Sequence, residues 1–329
     1  MSRAPHVGGT SVRTFERQHV RLAWAARTDV GKVRRLNEDS LIAEPGLFAV
    51  ADGMGGHAAG DVASRLVVEH LQSLSDQVPL PLEAVGELVS VVNATVREHA
   101  HVAGTGGMGT TLVAAMLVDN AGAESIVVVN VGDSRCYVHD ADGFRVLTHD
   151  HSVVQELVDA GAISAEEARS HPERNVVTRA IGADDHVVPD YVVLECAANQ
   201  RLLLCSDGVS GQLDEAVLGD VLAGAPDAAQ AVEAIIGRVL EGRAPDNATA
   251  IVVDVTWSPA LLGDIDATGP RPQDDPEITG PRSRFVPASP PEHGDSATAL
   301  ITAVPGGRPS EDGPDGEVTV PTPIFEVPQ

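Results

Sequence analysis

Leu47-Phe-Ala-Val-Ala-Asp52-Gly53-Met54-Gly55-Gly56-His57-Ala-Ala-Gly60-Asp61 is the stretch from which the fold can be read. A short apolar run of strand character stops on a carboxylate and turns through glycines. It then enters Val62 to Leu74, where Ala63, Val67, Leu71 and Leu74 keep helical spacing. Asp52 is therefore expected at the carboxyl end of a strand, facing an open turn. Gly53, Gly55 and Gly56 carry no β-carbon, so a cation, a water or a phosphate can approach the backbone there. The pattern recurs downstream. Leu202 to Ser206 ends on Asp207-Gly208, Ile126 to Gly132 ends on Asp133-Ser134-Arg135, and Asp246-Asn247 leads into Ala250 to Val255. Any one Asp-Gly pair after a strand is ordinary turn chemistry. The recurrence of acids at strand ends is not.

Outward from that stretch, Val20 to Arg27 alternates weakly like a strand, followed by a loop from Asp29 to Asp39. Leu82 to His101 is a second helix, with Val85, Leu88, Val89, Val92 and Val96 at helical spacing. Thr110 to Val118, Ser125 to Val131 and Cys136 to His139 read as successive strands, with turns at Asn120-Ala-Gly and Asp140-Ala-Asp-Gly143. Residues 150–178 turn helical and polar and are expected to form a flap beside a site. Val187 to Cys196 and Arg201 to Ser206 are expected to pair as a hairpin, and Ala228 to Glu241 is an amphipathic helix before the last strand. Locally paired strands with long helices outside them predict an α+β sandwich over 19–257. Residues 1–18 are expected to be a disordered leader. Residues 258–329, rich in Pro, Gly and acid, are expected to be a disordered tail, because they cannot bury enough surface to offset ordering. Within that tail, Thr268-Gly-Pro-Arg271 recurs as Thr279-Gly-Pro-Arg282, a chance repeat or a docking motif.

The 329 residues are 43% hydrophobic and only 3% aromatic, so the core must be largely aliphatic. A formal charge of -26 opposes binding to nucleic acid or to an anionic membrane surface. Lys32 is the only lysine, so a phosphate contact has to come from arginine. Cys136, Cys196 and Cys205 lie in apolar runs without metal-type spacing and read as reduced thiols. No signal-peptide core and no run of ~18 apolar residues is evident, so the expectation is a cytoplasmic protein without a membrane span.

Gathering Asp52, Asp207, Asp246 and Asp133 costs electrostatic energy unless cations neutralise them or their pKa values rise. Oxygen donors without paired Cys or His select hard ions such as Mg²⁺ or Mn²⁺. With these motifs in view, the chain resembles the bacterial branch of the PPM/PP2C metal-dependent protein serine/threonine phosphatases. The resemblance rests on Thr28 to Asp39, Ala51 to Gly60, Gly107-Met-Gly-Thr-Thr111, Val131 to Arg135, Cys205-Ser-Asp207-Gly208 and Pro245 to Thr249, in family order. It implies a four-layer α-β-β-α sandwich with two central, mainly antiparallel sheets. It also implies hydrolysis of phosphoserine and phosphothreonine on proteins by a metal-bridged hydroxide, without a phosphoenzyme, in a monomer whose signalling role opposes bacterial serine/threonine kinases.

Residue by residue, the resemblance implies that Asp52 bridges two Mn²⁺ or Mg²⁺ ions and that the Gly53 carbonyl binds one of them. Asp207 and Asp246 hold the other, Glu38 holds a metal-bound water, and Arg34 clamps the phosphate. Arg35 is the out-of-register alternative, expected in solvent. Asp133 is either part of a third metal site with Asp207 or a turn acid bonded to Arg135 or nearby backbone. Met54 stands where animal members carry histidine, which leaves the leaving-group acid unassigned; His57 is near in sequence.

Other signals carry less. Gly104-Thr-Gly106-Gly-Met-Gly109 matches a dinucleotide fingerprint but follows a helix and opens a strand, the reverse of the required context. His149-Asp150-His151 is set aside as a metal pair. Ser134 and Ser206 lack an adjacent base. The alternative function is a catalytically inactive relative that binds phosphoproteins. An aspartyl-phosphate mechanism ranks last, because Asp52-Gly-Met54 lacks a second acid.

Overall fold

The computed structural model describes residues 10–55, 59–104, 107–197 and 199–258, and the backbone of 284–286. One sheet runs β1 (Arg13–Arg17), β2 (Val20–Asp29), β13 (Ala248–Trp257), β12 (Gln200–Cys205), β9 (Arg135–Asp140), β10 (Gly143–Val146), antiparallel throughout. The other runs β14 (Arg284–Val286), β11 (Asp190–Glu195), β8 (Ala123–Val131), β7 (Leu112–Asn120), β4 (Leu47–Met54), β3 (Asp39–Glu44). Short β5 (Leu80–Pro81) joins β7 in parallel, and β6 (Gly109–Thr110) joins β4.

Alternation along the strands sorts the side chains into layers. In β13, Ile251, Val253 and Val255 enter the seam between the sheets, while Ala248, Ala250 and Val252 face helices. β4 divides likewise: Phe48 and Val50 point into the seam, and Leu47, Ala49 and Ala51 point away from it. The outer layers are α1 (Gly60–Gln72) with α2 (Ala84–Ala103) on the second sheet, and α6 (Glu215–Gly224) with α7 (Ala228–Glu241) on the first. Each helix buries one stripe, Ala63, Val67 and Leu71 in α1 and Ala231, Val232, Ile235, Ile236 and Val239 in α7. This is the expected four-layer sandwich, and its aromatic poverty leaves aliphatic side chains to fill it.

Three expectations meet a different arrangement. Arg13–Arg17 of the expected leader form an edge strand on β2, while residues 1–9 lie outside the described set. β11 and β12 are not a hairpin, because they belong to opposite sheets. A short connection fixes proximity but not pairing, and β12 is buried on both faces as a central strand must be. Gln200 ties the crossing: its Oε1 accepts from Ala197 N at 2.9 Å and its Nε2 donates to Glu195 O at 3.2 Å. From the expected tail, Arg284–Val286 pair with β11 along Val193 to Tyr191; the Thr-Gly-Pro-Arg repeat lies outside the described residues.

The expected flap contains α3 (Val153–Asp159), capped by Ser152, and α4 (Ala165–Ser170), opened by a Ser164–Glu167 capping box. α2 closes on Gly104 in the left-handed region, and β6 opens at Gly109, so the discounted glycine cluster follows a helix and precedes a strand as its sequence context predicts.

Candidate active site

Register brings the acids to one end of the sandwich. β3 pairs with β4 so that Asp39 lies opposite Asp52. Cys205 of β12 pairs with Arg135 on one side and Ala250 on the other, so Asp207 leaves the sheet between the chain segments that carry Asp133 and Asp246. Asp207 opens the single-turn helix α5 (Asp207–Ser210). Asp52 feels the charge of Asp207, and both feel the charge of Asp246.

The cluster rests on hydroxyls and amides. Asp52 N–H donates to Thr111 Oγ1 (3.0 Å), its carbonyl accepts from Thr111 N–H (2.9 Å) and Thr110 Oγ1 (2.8 Å), and Thr111 Oγ1 meets Ser134 Oγ at 2.7 Å. Asn247 fastens the loop before β3: its Nδ2 donates to Val30 O and Leu36 O, both at 3.0 Å, and its Oδ1 accepts from Glu38 N at 2.9 Å. Asp39 Oδ2 accepts from Ser206 Oγ (2.8 Å) and Thr249 Oγ1 (2.6 Å). Ser206 and Ser134 are therefore struts, not nucleophiles.

The electrostatics are those of uncompensated acids. Asp52 is held well above the usual carboxyl range by desolvation and then by Asp39, Asp207 and Asp133. Asp133 is pushed up to about 7 by desolvation, Asp207 and Asp150, and Asp39 to about 6 by desolvation against its two hydroxyl donors. Asp207 is raised by desolvation and Asp246, and Glu38 by desolvation opposed by Arg34.

Arg34 stands at the rim, its Nη2 2.8 Å from Asp246 Oδ2 and its Nη1 3.5 Å from Glu38 Oε2. Arg35 is exposed, as expected. His57 lies outside the described residues. A groove of about 480 Å³ leads from Asp133, Asp207 and Asp246 beneath the flap toward Arg169 and Arg174. Arg169 pairs with Asp214 across it.

The donor set fits hard divalent ions. It is all oxygen, Asp39 Oδ1 is buried without a partner, and the acids repel one another as they stand. Glycine makes the room: a β-carbon on Gly60 would come within 2.8 Å of Gly53 O. Among the described residues, no three His, Cys, Asp or Glu side chains stand close enough to grip one ion.

Sequence reasoning assigned no role to Asp39 and Asp150. Asp39 was visible only as the acid after Glu38; its burial against Asp52 follows from register. Arg135 clamps Asp150 through both oxygens, with contacts of 2.7–3.1 Å, and does not hydrogen-bond the Asp133 side chain.

Gly208 has no room for a side chain, since a β-carbon there would lie 1.7 Å from Asn247 O. Gly208→Ala should cost about 3 kcal/mol in a urea melt. It should also lower activity, because Asn247 would carry the Arg34 loop with it. An unchanged melt would show that the contact relaxes freely.

A family model described as protein phosphatase 2C matches residues 35–241. The serine/threonine protein phosphatase PstP of Mycobacterium tuberculosis is 38% identical over 276 residues, 80% of this chain. The chain spans about half the length of that relative, 50%. The serine/threonine phosphatase stp of Listeria innocua is 36% identical over 69% of this chain and 94% of its own. A crystal structure of the PstP catalytic domain with two manganese ions aligns with a TM-score of 0.66 at 38% identity, over 72% of this chain and 99% of that one. Fold and family model agree: the chain has the architecture of the protein phosphatase 2C structures. The chain belongs to the protein phosphatase 2C family.

Proposed function

We propose that this chain hydrolyses phosphoserine and phosphothreonine on proteins, opposing serine/threonine kinases of its cell. The observation that carries the reading is the recessed acid set of Asp52, Asp133 and Asp207, all with raised pKa values, next to an arginine at the rim. Asp52, the Gly53 carbonyl, Asp207 and Asp246 would hold two Mn²⁺ or Mg²⁺ ions, Glu38 would steady a water, and Asp133 with Asp207 would take a third ion. When bound, such ions supply a water acidic enough to attack phosphorus near neutral pH and neutralise the phosphate oxygens. Asp39, Thr111 and Ser134 hold the acids in place, so little reorganisation accompanies turnover.

Arg34 would orient the phosphate. Its guanidinium presents a planar fork suited to phosphate oxygens, and its bond to Asp246 keeps that fork at the rim before substrate arrives. The flap groove would admit the polypeptide around the phosphorylated residue. No helix among the described residues is long and apolar enough to cross a membrane; we place the protein in the cytoplasm as a monomer.

The test is release of phosphate from a phosphothreonine peptide with Mn²⁺ and with chelator. Hydrolysis that needs the metal supports the reading. No hydrolysis, with retained capture of the phosphopeptide, would favour an inactive binding module instead. Arg34→Ala should raise KM about tenfold while kcat falls less, because the lost contacts are made before as well as during transfer. Equal loss in kcat and kcat/KM would confine Arg34 to the transition state.

A further inference from the structure

His151, at the root of the flap, is 5% exposed and engaged at every polar atom. Its N–H donates to Gly132 O at 2.9 Å, and its carbonyl accepts from Thr178 N–H at 2.8 Å. Its Nδ1 accepts from Gly132 N–H at 3.0 Å, and its Nε2 lies 3.3 Å from Asp190 Oδ2. Both polar atoms of the Gly132 backbone are thus held by one residue. Gly132 itself has φ +106, and a β-carbon there would meet Thr111 Cγ2 at 2.7 Å. The turn Gly132-Asp133-Ser134 is pinned between two supports. Thr111 and Ser134 tie it to Asp52, and His151 ties it to the flap.

The flap closes on the same residue. Val153 N–H donates to Val176 O at 2.9 Å, and Ser152 bridges Val177, so both ends of the insertion meet beside His151. The ring is neutral in this arrangement. Accepting from Gly132 N–H requires a bare Nδ1, which puts the proton on Nε2, toward Asp190. Arg179 Nη1 is 2.8 Å from Nε2 but has Val188 O (2.8 Å) and Asp190 Oδ1 (3.2 Å) to receive its protons. Burial first, and Arg179 second, hold the ring's pKa down.

We propose that His151 is a positioning residue which sets Asp133 through the Gly132 backbone and so couples the seating of the flap to the acid cluster. The proposal rests on the phosphatase reading above. No atom of His151 reaches the reacting groups; its contribution is the placement of the next residue along.

The test uses the full chain, p-nitrophenyl phosphate and Mn²⁺, with His151→Asn, His151→Gln and His151→Ala. Asn sets an amide oxygen near the position of Nδ1 and can still accept from Gly132, whereas Gln reaches toward Asp190 and leaves that N–H bare. Gln and Ala should lower kcat about tenfold or more with KM within about twofold, while Asn stays within about threefold of the native chain. In an Asp133→Asn background, adding His151→Gln should change kcat by less than about twofold, since a residue acting through Asp133 has nothing left to position. Should Ala not fold, the Asn and Gln variants, both amides, carry the comparison at matched thermal midpoints. Equal losses in Asn and Gln, or the full Gln loss persisting without Asp133, would overturn the proposal. An inert native chain would instead remove the phosphatase reading on which it stands.

Discussion

Asp207→Asn should lower kcat on a phosphothreonine peptide by about a thousandfold or more, about 4 kcal/mol of transition-state stabilisation, and should also make the metal-free fold more stable. Both effects have one cause. Asp207 sits at the first position of α5, its pKa raised by desolvation and by Asp246. Asparagine keeps the shape and removes the charge, so the packing of Gly208 against Asn247 need not change. The repulsion felt by Asp52 then falls, and so does the capacity to hold cations. A stabilised protein with lost turnover separates site chemistry from unfolding. Activity within about tenfold of the native chain would mean that Asp207 is not part of the catalyst.

The acids were legible in the sequence because Asp52, Asp133 and Asp207 each follow an apolar run and Asp246 precedes one, and a strand that meets a carboxylate at its end announces a rim. The helices outside the sheets were legible for a similar reason: Ala63, Val67 and Leu71 mark one buried stripe, and Ile235, Ile236 and Val239 mark another. Which sheet a strand joins was not legible. Residues 197–200 read as hairpin turn material, yet β11 and β12 part across the seam, because side-chain alternation reports which faces are buried and not which neighbour buries them. Asp39 escaped notice because its burial depends on being opposite Asp52, a pairing set by register. His151 escaped because its spacing from His149 suggests only a metal pair, whereas His149 turns to Asp159 at 2.9 Å and His151 turns inward to backbone. Histidine as a backbone clamp leaves no spacing signature.

The second large effect concerns pH and metal together. With chelator present, the thermal midpoint should fall as pH rises from about 4 to about 7, the reverse of a protein held by salt-bridged carboxylates. The sign follows from proton counts. Unfolded aspartates release their protons near pH 3.9, while in the fold Asp39 keeps its proton to about 6, Asp133 to about 7, and Asp52 well above the usual range. Across that window the native state binds more protons than the unfolded chain, so their contribution is full below the unfolded pKa and is lost as pH passes the folded ones. His151 and the carboxylates of Asp140, Glu167 and Asp227 pull the other way. His151, its pKa lowered chiefly by burial, favours the fold as pH rises toward its unfolded value. Asp140, whose pKa hydrogen bonds from Arg145 lower in spite of burial, loses its contribution only as pH falls below the ordinary carboxyl range. One histidine opposes several acids, so the acids should win, and the midpoint in chelator should be at least about 5 °C higher at pH 5 than at pH 8. Saturating Mn²⁺ should shrink or invert that difference, because cations bind the ionised carboxylates and stabilise only the fold that gathers them. Differential scanning calorimetry in both conditions decides the matter: a flat or rising profile in chelator would mean that the acids do not crowd one another, and a profile indifferent to Mn²⁺ would mean that they do not share cations.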